Sequence, residues 1–169
     1  MAKINWPQRI LLRTTGFSYT NMARLFMRLF VGVMFMQFGI RHWVNYDSIA
    51  DHFPTVLGLE PSLCLQLMIV NEIVCSTLII VGLLTRLATV PPIVSMIAAE
   101  YYILHDMIPA DVSMDGLDST DPGYLPIMFI GIYCFLWLAG PGKISLDYML
   151  SLKVLAIRDA REEDELEDV

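Results

Sequence analysis

One carboxylate, Glu72, stands near the middle of the apolar run from Leu63 to Leu84, which holds no other charged residue. At about 1.5 Å per residue, a helix of that length crosses the hydrocarbon core of a bilayer. An ionised side chain at that depth is costly and needs a partner or a task. The chain is therefore read as a membrane protein that keeps polar groups between its helices.

Composition sharpens that reading. Of 169 residues, 56% are hydrophobic and 17% are charged. The charge is sorted to the ends and to two loops, which is the pattern of a polytopic membrane protein rather than of a large soluble core. The net charge of −7 comes without any basic stripe, and this excludes nucleic acid as a partner. No nucleotide loop, nucleophile elbow or His-Glu-x-x-His pattern occurs, so an ATPase or hydrolase has no basis. Cys64, Cys75 and Cys134 lie singly in apolar runs with no Cys-x-x-Cys pair. They read as small buried hydrophobes and argue against a thiol oxidase.

Hydropathy places four spans, at about 22–44, 63–84, 87–104 and 124–139. Pro91 and Pro92 fall in the first turns of the third, where N–H groups have no intrahelical partner. Gly140-Pro141-Gly142 ends the fourth. Residues 45–62 and 105–123 carry Asp and Glu but no Lys or Arg. Apart from Arg28 and Arg41 in span one, the Lys and Arg residues sit in the N-terminal segment, at Arg86 and from Lys143 onward. That asymmetry predicts both termini in the cytoplasm. The fold class expected is an all-α membrane protein, a four-transmembrane-helix antiparallel bundle with a cytoplasmic amphipathic C-terminal helix. Residues 1–20 read as an interfacial arm rather than a cleavable signal. Residues 21–143 form the bundle. Residues 144–169 are an amphipathic helix over 145–158 and then a solvated, disordered acidic tail. Gly32 and Gly39 share a face of span one and mark close helix contact.

Two polar groupings stand out. Depth along the spans predicts an intramembrane pair between Arg28 and Glu72, because an arginine side chain reaches along a helix. Nearer the outer face, Gln37, Arg41, His42, Glu100 and His105 are the residues for an outward-opening pocket, with Glu100–Arg41 as its charge pair. The histidines lack ligand spacing, so no metal is predicted. Trp43, Tyr46, Tyr101 and Tyr102 read as an interfacial aromatic belt.

Three stretches carry a family resemblance: Arg28 to Phe35 followed by Gly39-Ile40-Arg41-His42; Glu72 followed by Gly82-Leu83-Leu84-Thr85-Arg86; and Gly140-Pro141-Gly142-Lys143-Ile144-Ser145-Leu146-Asp147. Together they resemble the DoxX family of small four-span bacterial membrane proteins, over about residues 21–152. The resemblance implies a bundle in the bacterial inner membrane and an association with redox work. The function expected is an accessory or scaffolding subunit of a larger redox-linked membrane complex. The alternative is a quinone-linked oxidoreductase subunit of the thiosulfate:quinone type, with a polar site between the helices. No cofactor is predicted, with quinone or lipid as the candidate ligands. The partners expected are membrane lipids and either a protein partner or further copies of the chain.

Overall fold

The computed structural model describes residues 20–104 and 124–167. Among the described residues every regular element is helical. Helix α1 (Thr20–Val44) and helix α2 (Pro61–Val81) are long and apolar enough to cross a membrane by length and composition. A short helix at Tyr46–Ile49 and a single turn at Ala50–His52 follow α1. Helix α3 (Val90–Ala99) is preceded by the turn Thr85–Ala88 and extended by a π segment at Glu100–Leu104. Helix α4 (Tyr124–Ala139) is a shorter apolar helix, and helix α5 (Leu146–Glu167) completes the order.

The helix ends follow from local chemistry. Pro61 opens α2 and Pro91 opens α3, both at positions whose N–H would be unpaired in any case. Gly82 closes α2 at φ 77°, and the N–H groups of Gly82 and Leu83 both donate to the Leu78 carbonyl, at 2.8 and 2.9 Å. This left-handed cap lets the chain reverse at once. Gly140 ends α4 in the same way, at φ 71°.

Helices α1 and α2 run antiparallel in close contact. A Cβ on Gly32 would stand 2.5 Å from Ile80 Cγ1, and one on Gly39 would stand 2.8 Å from Ile73 Cγ1. The glycine face read from the sequence is therefore the seam between these helices. Val31 and Phe35 of α1, Ile79 of α2, Met96 of α3 and Phe129, Tyr133 and Leu136 of α4 meet in the main core. The Phe35 ring packs 5.6 Å from both Phe129 and Tyr133, edge-on to the tyrosine. A smaller core of Ala50, Leu65 and Ile69 lies beneath the turns that follow α1.

The polarity is inverted relative to a water-soluble protein. Arg28, Glu72, Thr85, Thr89 and Glu100 are buried, whereas Phe26, Phe30, Val33, Trp137 and Leu138 are exposed. Such an arrangement suits a chain surrounded by lipid.

The C-terminal helix departs from the expected disordered tail. It continues to Glu167 instead of ending near residue 158. Glu and Arg supply six of the ten residues at 158–167, and both are strong helix formers. The two terminal stretches and the loop at 105–123 that carries five aspartates lie outside the described residues.

Candidate functional site

Glu72 is placed by two features of the backbone. Gly39 removes the side chain that would otherwise separate α1 from α2 at this level. Asn71–Cys75 forms a π segment within α2. Adjacent residues stand roughly 80–100° apart around such a turn, so Asn71 and Glu72 meet different helices. Asn71 donates from Nδ2 to Ser95 Oγ of α3 at 2.9 Å. Glu72 turns instead to α1.

There it meets His42. The Nδ1 atom of His42 lies 2.7 Å from Oε2 of Glu72. The carboxylate side chain is 1% exposed and the imidazole is 25% exposed. The ring of His42 stands edge-on to Phe53 at 5.9 Å. With Glu72 ionised, Nδ1–H donates to the carboxylate, and Nε2 takes no part in that bond. The buried hydroxyl of Tyr133 on α4 lies within electrostatic reach of Glu72. Chemically, the pair can pass a proton between a buried carboxylate and the end of the helix where α1 stops.

The expected Arg28–Glu72 pair is not formed: Glu72 takes His42 as its partner. Distance along α1 explains the outcome. Arg28 lies fourteen positions before His42, or about 21 Å down the axis, and it reaches the opposite end of α2. Its Nη2 donates to the Ile144 carbonyl. Its guanidinium packs against Gly82, where any Cβ would collide with it, and it lies in the field of Asp147.

The outward set divides. Gln37 and Arg41 are exposed on α1, His42 is half-buried against Glu72, and Glu100 is fully buried at the start of the second π segment. His105 lies outside the described residues. Among the described residues, no three His, Cys, Asp or Glu side chains gather into a metal-holding group.

A second cluster escaped the reading of the sequence. Asp147 Oδ1 accepts from the Leu84 N–H at 2.7 Å. Its Oδ2 accepts from the N–H and the hydroxyl of Thr85, at 3.0 and 3.1 Å. In return the Asp147 N–H donates to the Gly82 carbonyl at 2.9 Å. The turn after α2 and the start of α5 are thus bound to each other. The signal available was the pairing of a Thr-bearing turn with a Ser-x-Asp helix start, both at the same end of the molecule. Ser145 caps α5, accepting from Tyr148 N–H at 3.2 Å while its hydroxyl donates to Gly142 O at 2.7 Å.

A family model described as DoxX matches residues 23–106. An uncharacterized membrane protein of Mycobacterium tuberculosis (strain ATCC 25618 / H37Rv) is 30% identical in an alignment of 147 residues that covers 77% of this chain and 82% of that relative. An uncharacterized protein of Haemophilus influenzae is 27% identical over 136 residues, covering 78% of this chain and 85% of that relative. No solved structure matches the chain.

Proposed function

We propose, on the premise that the chain belongs to the DoxX family of membrane proteins, that it is an accessory subunit of a larger, redox-linked complex in the bacterial inner membrane. In this reading it has four spans and both termini in the cytoplasm. The redox link comes from the family resemblance. The subunit role rests on one observation, the surface of α5. That helix is bound to the bundle at Asp147, yet Leu146, Leu150, Leu152, Val154, Leu155 and Ile157 are all exposed. Leu155 lies about 140–180° around the axis from Leu146, Leu150 and Ile157. A flat bilayer surface covers one side of such a helix, and the other calls for protein.

The test compares the full chain with a chain ending at Tyr148, each purified from native membranes in mild detergent. A protein partner in stoichiometric amount is expected with the full chain and absent from the shorter one, with both melting alike. A full chain that brings down no such partner overturns the subunit role. The orientation is checked separately, with Ser48→Cys labelled by an impermeant thiol reagent in intact cells. Labelling only after lysis overturns it.

A second reading, a quinone-linked oxidoreductase subunit, is favoured by the His42–Glu72 pair, which suits proton exchange with a reducible headgroup. Solvent extraction of the purified chain discriminates the two. Quinone present in the unmodified chain and lost in Glu72→Gln favours this second reading, and a partner protein without quinone favours the first.

A further inference from the structure

A groove of about 530 Å³ opens where α1 ends, between the short helix Tyr46–Ile49 and α2. Trp43, Tyr46, Asp47, Gln66, Ile69 and Val70 line it. We propose that this groove binds the primary ammonium headgroup of an aminophospholipid of the phosphatidylethanolamine class.

The polar atoms it offers are suited to a cation. The Asp47 carboxylate is exposed and takes no ion-pair partner among the described residues. The Gln66 Nε2 donates to the Tyr46 hydroxyl at 2.8 Å, which leaves the Gln66 carbonyl oxygen as an acceptor. Trp43 and Tyr46 add two aromatic faces, which attract cations through their ring quadrupoles. Tyr46 is held in place, since it also packs on the small core of Ala50, Leu65 and Ile69. Residues 45–62 contain no Lys or Arg to compete for these acceptors.

Depth and shape suit a lipid. Val44 ends a helix of membrane-spanning length, so the groove lies at headgroup level. Ile69 and Val70 extend it along α2 with an apolar floor for the glycerol and the first acyl carbons. A primary ammonium presents three N–H donors, which Asp47 and Gln66 can accept. A trimethylammonium group has no N–H and needs aromatic walls on more sides than the two present here.

The full chain is incubated with vesicles of equal parts dioleoyl phosphatidylethanolamine, phosphatidylcholine and phosphatidylglycerol, then repurified, and the retained lipid is counted by native mass spectrometry. Phosphatidylethanolamine is expected about three-fold above each of the others. Asp47→Asn and Trp43→Leu, both at exposed positions, are expected to bring retention to parity while helicity and melting stay unchanged. Parity in the unmodified chain overturns the proposal. So does phosphatidylcholine held equally well, enrichment of phosphatidylglycerol, or a preference that survives Asp47→Asn. These outcomes are independent of whether a protein partner is found on α5.

Discussion

A Cβ atom on Gly39 would stand 2.9 Å from the Cβ of Glu72, closer than such carbons pack in real structures. Glycine at this position is what lets the carboxylate-bearing part of α2 lie against α1. Gly39→Ala must move the Ile73 backbone as well, whose nitrogen would be 3.3 Å away. It is expected to destabilise the chain by about 1–3 kcal/mol, as overpacking does. Gly131 faces open space, so Gly131→Ala is expected to gain up to about 1 kcal/mol from helix propensity. Unfolding in mixed detergent checks both, and equal effects would remove the seam argument.

His42 and Glu72 are expected to be coupled. His42→Ala leaves a buried carboxylate without its partner and is expected to cost about 3 kcal/mol. Glu72→Gln keeps the shape and a hydrogen-bonding group, and costs less. Combining the two should recover about 1 kcal/mol or more relative to additivity. A strictly additive cycle would mean that the pair does not hold the helices together.

Leu84 adopts φ 49°, a left-handed conformation unusual for a leucine, and Asp147 holds its N–H. Asp147→Ala removes the acceptor of three hydrogen bonds and is expected to cost about 2–3 kcal/mol. Leu84→Gly relieves the backbone and is expected to gain about 1 kcal/mol alone. In the Asp147→Ala background it should restore part of the loss. Thermal melting of the four proteins decides, and a further loss on adding Leu84→Gly would contradict the account.

Gly82 combines a positive φ of 77° with contact to the Arg28 guanidinium. Gly82→Ala therefore meets backbone strain, the buried Arg28 guanidinium and, at 2.7 Å, the Cβ of Ser145. A loss of about 2–4 kcal/mol is expected, beyond that of Gly39→Ala. Comparable melting of the two variants would show that Arg28 has room to move.

Much of the fold was legible because hydropathy and helix-stop chemistry act locally. The end of Tyr124–Ala139 could be placed from Gly140-Pro141-Gly142, and the start of α3 from Pro91 and Pro92. Gly32 and Gly39 betrayed their seam by spacing alone. The partner of Glu72 was not legible, because depth was assigned from span limits while Arg28 was given a reach it uses elsewhere. The π segments have no compositional signature, since an i→i+5 turn is chosen by packing and not by residue type. Asp147 was recognisable as part of a motif. Its bond to a turn far away in the chain was not, because side-chain caps across such separations leave no periodic trace.

The bond between Asp147 and Leu84 joins residues separated by 63 positions. As the chain is made, the helices on either side of that turn are synthesised before Asp147. Their connecting turn then waits with the Leu84 and Thr85 amides uncapped and the leucine backbone unsupported. Closure of that turn has to wait for Asp147, a residue made 63 positions after Leu84 and 62 after Thr85. A chain cut short before Asp147 lacks the acceptor that holds this turn, a mark by which an unfinished copy differs from a finished one.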